Sequence, residues 1–142
     1  MLKHKIPKQL DFLNVVDGIS ITVKTDSRLT KNGLKKTHFR TIASLTKKHR
    51  AVAYELASKA KFHAGLRQPY KQAYIRIRSY WCGKPMDYDG LACAVAPTID
   101  GMVDAGIIED DNPSIVKGYF MEYEQVKKRV EVRVEVSIEG VQ

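Results

Sequence analysis

The sequence of 142 residues contains only two cysteines, Cys82 and Cys93, and they form no CxxC pair. Their scarcity argues against a disulfide framework and against a metal site built from thiolates. No apolar run approaches the roughly 20 residues that a membrane-spanning helix needs, and the residues after Met1 contain no signal-peptide core. We therefore expect a soluble, cytoplasmic protein without a membrane partner.

Acidic residues are scarce in the first half of the chain and abundant in the second. Residues 1–80 contain 18 Lys and Arg against 4 Asp and Glu, whereas residues 81–142 contain 6 against 12, and the whole chain carries a net charge of +8. A cationic excess suits a phosphate backbone, because each neutralised phosphate releases counterions. Solubility alone is the other interpretation. A protein that only binds nucleic acid gains nothing from nearby carboxylates, whereas a metal-dependent nuclease needs them.

The hydrophobic pattern switches between strand and helix periods along the chain. Alternation predicts strands over 18–24, 73–81, 116–123 and 129–139. A period near 3.6 predicts helices over 37–62 and from about 91 to Gly106, with a kink or restart at Pro97. Residues 1–12 are expected to be a loosely held basic lead-in, and residues 24–36 a basic loop. This order predicts one α+β domain over 1–142, with two main helices on a mixed sheet of about four strands.

Basic side chains are expected along one flank of the long helix and on one face of the second strand. The same pattern is typical of a DNA-backbone contact and of an ordinary solvated surface. The apolar face of the helix is predicted to contain Ile42, Leu45, His49, Val52, Ala53, Leu56 and Ala60, with His49 packed rather than acting as a ligand. The predicted DNA contacts are Arg40, Lys47, Arg50, Lys61, Arg76, Arg78 and Lys84.

Two aspartates, Asp87 and Asp89, follow the second predicted strand at a spacing that puts both side chains on one side of an extended segment. Oxygen ligands at such a place suit Mg²⁺, which takes one or two carboxylates together with waters and substrate phosphate. Asp111 is 22 residues beyond Asp89, and the intervening helix is expected to return the chain to the same end of the sheet; Asp110 is the adjacent alternative. The competing interpretation gives these aspartates helix-capping and turn roles.

Three motifs in this region together resemble the RusA-type Holliday junction resolvases. That family carries a DxDN-type motif after a strand, a helix ending in Ala-Gly, two apolar residues and a pair of aspartates. The corresponding segments here are Asp87-Tyr88-Asp89-Gly90-Leu91, Asp104-Ala105-Gly106-Ile107-Ile108 and Asp110-Asp111. The resemblance covers roughly residues 74 to 136. Gly90 stands in place of the usual asparagine, Cys93 in place of a catalytically helpful lysine, and the helix is about one turn longer around Pro97.

The resemblance implies a RusA-like fold in which Asp87, Asp89 and Asp111 bind Mg²⁺, with Mn²⁺ as a substitute. It also implies a homodimer that cuts branched DNA, in a bacterial cell or a phage-infected host. Lys84 or Lys117 could replace the missing lysine. The leading hypothesis is a Holliday junction resolvase for DNA recombination and repair. The alternatives are a non-catalytic or weakened DNA-binding protein on the same scaffold, and a metal nuclease acting on flaps or RNA.

Overall fold

The computed structural model describes residues 15–141, so the predicted lead-in over residues 1–12 lies outside the described residues. The architecture is α+β, as predicted. The regular elements are β1 (Val15–Val23), α1 (Lys31–Lys36), α2 (Phe39–Ala64), β2 (Ala73–Trp81), α3 (Tyr88–Asp104), β3 (Val116–Gln125) and β4 (Arg133–Val141), with 3₁₀ turns at Ser27–Leu29 and Arg129–Glu131. Among the described residues, no helix combines the length and the apolar character needed to cross a membrane.

The four strands form one mixed sheet in the order β1-β4-β2-β3. β4 lies antiparallel to both β1 and β2, whereas β3 lies parallel to β2. The parallel pair is joined through α3, because parallel neighbours need a crossover connection. The prediction of four strands in a mixed sheet is confirmed, and the bounds of β2 are those read from its alternation.

Buried residues alternate with more exposed ones along the strands, which places the core on one face of the sheet. β2 and β4 bury every second side chain, and Ile75, Val136 and Ile138 are fully buried. α2 and α3 pack against each other, and their buried residues join those of the sheet in one hydrophobic cluster. The described residues therefore share one core between a helix layer and a sheet, stabilised mainly by burial of apolar surface.

α2 and α3 come unusually close where α3 contains Gly101. A Cβ at Gly101 would lie 2.7 Å from the Cβ of Ala53 and closer still to the carbonyl oxygen of Arg50, so only glycine fits. This close approach makes Ala53 and Ala57 the fully buried residues of α2, while Val52 remains 43% exposed. The predicted core face of α2 was therefore right at Ala53, missed Ala57 and was wrong at Val52.

Three local predictions differ from the structure. The predicted loop over 24–36 contains α1, which begins because the Thr30 hydroxyl accepts a hydrogen bond from the Gly33 N–H at 3.1 Å. The strand expected from residue 129 begins at Arg133, because Arg129–Glu131 form a 3₁₀ turn. α3 continues through Pro97 as one helix without a restart, and the buried Pro97 ring joins the packed side of the helix.

Candidate metal and nucleic-acid site

Asp87 and Asp89 lie together at the N-terminal end of α3. Asp87 is the N-cap residue, and its Oδ1 accepts a hydrogen bond from the Gly90 N–H at 2.6 Å, while Asp89 belongs to the first turn and is exposed. Strand β2 ends at Trp81, so the pair lies beyond a short turn rather than at the strand end, and only Asp87 is extended. The positive end of the helix dipole favours both carboxylates in this position.

Tyr123 of β3 lies close enough to Asp87 to be affected by its charge. Its ring packs edge-on against Tyr88 with a centroid distance of 5.2 Å. Burial raises the pKa of Tyr123, and the nearby Tyr88 and the Asp87 carboxylate raise it further. The Tyr123 hydroxyl is buried and has no hydrogen-bond partner within residues 15–141. Tyr123 is a site residue that the sequence analysis missed. The only signal for it in the sequence was its position at the end of the strand predicted over 116–123.

Asp110 and Asp111 lie in the turn between α3 and β3, which runs beside the start of β2. Tyr70 N donates to Ile107 O at 2.9 Å, and Ala73 N donates to Ile115 O at 2.9 Å. The two oxygens of Asp110 accept hydrogen bonds from the backbone N–H of Asp111 at 2.8 Å and from the side chain of Asn112 at 3.0 Å. These bonds lower the pKa of Asp110, whose role in the structure is that of a turn residue.

Asp111 therefore lies at the opposite end of the sheet from the Asp87–Asp89 pair. Asp87 acts electrostatically on Tyr123, whereas Asp111 acts on Tyr119, four residues earlier and about 13 Å away along β3. The expected return of the chain to the same end does not occur, because β3 is parallel to β2 and must begin where β2 begins. Within residues 15–141, no three His, Cys, Asp or Glu side chains gather closely enough to hold one metal ion.

The donor set at the N-terminal end of α3 fits a hard cation in part. Asp87 keeps one carboxylate oxygen outside its capping bond, and Asp89 is exposed. Mg²⁺ commonly takes only one or two protein carboxylates and completes its octahedron with waters and substrate phosphate. Two carboxylates from one chain therefore meet the minimum requirement of a Mg²⁺ site, and the third predicted ligand lies elsewhere.

Four of the predicted DNA contacts make bonds inside the protein. Arg50 forms a two-bond ion pair with Asp104, at 2.5 and 2.8 Å, and Lys61 Nζ donates to the carbonyl oxygen of Ala105 at 3.2 Å. The other two lie on the sheet side opposite the helices, where Arg76 bonds Glu122 at 2.8 Å and Glu139 at 3.2 Å, and Arg78 bonds Glu122 at 3.5 Å. Their immediate structural role is to hold neighbouring elements together.

The remaining three predicted contacts, Arg40, Lys47 and Lys84, are exposed. None of them forms an ion pair with a residue of the described part of the chain. Lys84 is in the turn between β2 and α3, three residues before Asp87. It is therefore the predicted contact that lies nearest in the chain to the carboxylate pair.

A basic segment that the sequence reasoning treated as a loop also borders the carboxylate pair. This segment, residues 27–36, comprises a 3₁₀ turn and α1 and contains four Lys and Arg without an acidic residue. A Cβ at Gly90 would lie 3.7 Å from the Cβ of Thr30, so the segment passes close to the first turn of α3. The capping residues Asp26 and Thr30 were the sequence signal that could have revealed its turn and helix.

Comparison of the chain with models of protein families and with curated protein sequences finds no match.

Proposed function

We propose that the protein is a Mg²⁺-dependent endodeoxyribonuclease that cuts branched DNA at Holliday junctions. The observation that carries the proposal is the exposed pair Asp87 and Asp89 at the N-terminus of α3. Neither carboxylate forms an ion pair with a residue in the range 15–141, and the basic segment 27–36 lies beside them. Carboxylates that are not neutralised within the chain, next to cations that attract phosphate, are what metal-assisted hydrolysis requires.

In this proposal, Asp87 and Asp89 hold the cation, and the basic segment with Lys84 holds the DNA backbone against it. A bound Mg²⁺ would lower the pKa of a water and stabilise negative charge on the scissile phosphate. The capping bond from Gly90 fixes the orientation of the Asp87 carboxylate. The buried hydroxyl of Tyr123 supports the proposal as a hydrogen-bond donor near Asp87 that lacks an acceptor among the described residues.

The resemblance assigns a third carboxylate to Asp111, with Asp110 as the alternative, and implies a homodimer. A two-fold dimer suits a four-way junction, which presents two related strands for cutting. Within one chain, Asp111 and Asp87 lie at opposite ends of the sheet. A third ligand for the Asp87–Asp89 pair would therefore have to come from a second chain or from a rearranged turn. The proposed setting is the cytoplasm of a bacterial or phage-infected cell.

Incubating a synthetic four-way junction with the protein and Mg²⁺ tests the proposal directly. We expect paired nicks from the wild type and at least about 100-fold slower nicking by Asp89→Asn, because metal ions supply several kcal/mol of charge stabilisation. Asp104→Asn is the matched control, since it removes an exposed carboxylate from the other end of the same helix. Absence of nicking by the wild type, or equal nicking by wild type and Asp89→Asn, would contradict the proposal.

A non-catalytic DNA-binding role is the second candidate, and two observations favour it. Asp87 already serves as a helix cap, and Cys93 occupies the place where the resembled family has a lysine. Thermal unfolding with Mg²⁺ or Mn²⁺ separates the candidates, because a ligand that binds only the folded state raises the melting temperature. Asp87→Asn keeps a capping side chain, so a metal-induced rise seen only in the wild type would indicate a real site. A substrate panel of junctions, flaps and RNA separates the third candidate, a nuclease for other nucleic acids.

A further inference from the structure

An open cavity of about 400 Å³ lies between the end of β1 and the middle of α2. We call it the β1–α2 pocket. This volume leaves room for a phosphate group and part of its attached sugar or base. The pocket is lined by Thr22, Val23, Lys24, Thr25, Asp26, Lys48, His49 and Val52.

The charge of this pocket is positive. Lys24 and Lys48 are both exposed at its wall, and neither forms an ion pair with any residue from 15 to 141. The one carboxylate in the lining, Asp26, is matched by Arg28, which bonds both of its oxygens at 3.0 and 2.7 Å. Two lysines therefore remain without a partner in the described structure, and that excess favours an anionic ligand.

The lining also supplies groups that suit the rest of a nucleotide. The Thr25 hydroxyl can donate a hydrogen bond to a phosphate or sugar oxygen. Val52 is 43% exposed and offers an apolar wall, and His49 adds an aromatic ring. His49, which the sequence predicted to be packed rather than a ligand, is half-buried and lines this cavity.

The register of the sheet relates the pocket to the carboxylate pair. Val23 at the pocket pairs with Val134, Val134 pairs with Ser79, and Ser79 pairs with Tyr123, whose ring contacts Tyr88, the residue between Asp87 and Asp89. Three strand spacings separate the two ends of this row, a distance of about 14 Å. The pocket and the Asp87–Asp89 pair therefore lie at the same end of the sheet, close enough for one nucleic-acid strand to reach both.

We propose that the β1–α2 pocket binds a phosphate of a nucleic-acid strand a short distance from the phosphate that the Asp87–Asp89 pair addresses. Lys24 and Lys48 neutralise the phosphate, and the Thr25 hydroxyl orients it. This inference rests on the nucleic-acid binding in the proposed function, but it does not require hydrolysis. It assigns a positioning role to residues that were absent from the predicted DNA contacts.

Binding of a fluorescent four-way junction in the presence of EDTA tests this assignment without any cleavage. We expect Lys24→Gln and Lys48→Gln each to reduce the slope of log affinity against log salt by about 0.9, the value for one lost phosphate contact on duplex DNA. Lys59→Gln is the matched control, since Lys59 is an exposed lysine of α2 whose partner is Glu55 at 3.9 Å and which does not line the pocket. An equal reduction of the salt-dependence slope in all three variants would overturn the proposal.

Amide chemical shifts identify the source of the phosphate. We expect the junction to shift the amides of residues 22–26 and 48–52 in the wild type and to shift them less in the double variant Lys24→Gln, Lys48→Gln. If inorganic phosphate shifts these amides and the junction does not, the pocket serves a small anion and the strand proposal is wrong. A wild type that binds no junction would refute both the pocket and the proposed function. Junction binding that depends on the two lysines, without nicking in Mg²⁺, would support the pocket and refute the nuclease.

Discussion

The two ends of α3 both carry aspartates, but the protein surrounds them differently. At the C-terminal end, Asp104 is paired with Arg50, and Asp110 accepts hydrogen bonds within its own turn. At the N-terminal end, Asp87 caps the helix through one oxygen, and Asp89 has no cationic partner in the described part of the chain. The guanidinium of Arg50 neutralises Asp104, whereas the exposed Asp89, like Asp111 beyond the C-terminal end, has no ion pair within residues 15–141 and is available to a cation.

Substitution of Asp111 is the most direct test of whether the two ends of α3 differ in metal binding. If the resemblance is right, Asp111→Asn should lower junction nicking by about 100-fold, as much as Asp89→Asn, because each removes a metal ligand. Asp110→Asn should have a smaller effect, since the Asp110 oxygens bond Asp111 and Asn112. Single-turnover cleavage of the junction by the purified variants measures both effects.

Unchanged nicking by Asp111→Asn would assign the metal to the N-terminal pair alone. A full loss would mean that the two ends of α3 meet in the working assembly. Equal mixing of Asp89→Asn and Asp111→Asn chains then gives a further test. Recovery of nicking would show that the carboxylates of one site come from two chains, and a mixture as inactive as its parts would place them in one chain.

Near its C-terminal end, α3 packs closely against α2 at Gly101, and a substitution at Gly101 tests this packing. We expect Gly101→Val to destabilise the protein by about 2 kcal/mol or more, since the new side chain would push Ala53 and the backbone of Arg50 away. Urea unfolding followed by circular dichroism measures the loss. Ala96→Val on the exposed side of the same helix is the control for the lower helix propensity of valine. Equal losses in both variants would contradict the close approach of α2 and α3.

The periodicity of the chain was enough to predict the sheet and both long helices, because burial on one face imposes a regular spacing. β2 illustrates this: its alternating residues bury one side chain in two, and its bounds matched. The close packing at Gly101 was not visible, since a glycine in a helix shows its reason only when the neighbouring helix is in place. The burial of Ala57 was missed for the same cause, because a small side chain carries little weight in a hydrophobic pattern.

The candidate site was predictable in composition but not in arrangement. Spacing placed Asp87 and Asp89 together, because only Tyr88 lies between them in the chain. The distance to Asp111 depends on the direction of β3, which the alternation of that strand does not reveal. The ion pairs of Arg50 and Arg76 join residues far apart in the chain, so the sequence could not show that these two arginines make structural contacts.

Placing at position 93 the lysine that the resembled family carries tests the functional side of the comparison. Cys93 lies one turn after Asp89 on α3 and is partly exposed. We expect Cys93→Lys to raise the rate of junction nicking by about 10-fold, because a cation near the leaving oxygen stabilises developing charge. Cys93→Met controls for side-chain length. A gain in both variants, or in neither, would contradict an electrostatic role at this position.

The smallest expected effect concerns the Arg50–Asp104 ion pair at the C-terminal end. The hydrogen bond from Arg50 lowers the pKa of Asp104, so the pair contributes stability that is present above the unfolded pKa of about 3.9. That contribution is lost as the pH falls through the lower pKa of the folded state. Both partners are largely solvent-accessible, so screening keeps the contribution small.

Denaturant unfolding of the wild type and Asp104→Asn across the acid range measures this contribution. We expect the wild type to be slightly more stable at neutral pH and the difference to vanish at strongly acidic pH. High salt should shrink the difference at neutral pH, because salt screens exposed charges. A difference that stayed constant with pH would mean that Asp104 contributes through packing rather than charge. In that case, Asp104 would not be an example of a carboxylate neutralised by an ion pair, and its contrast with the unpaired Asp89 would fail.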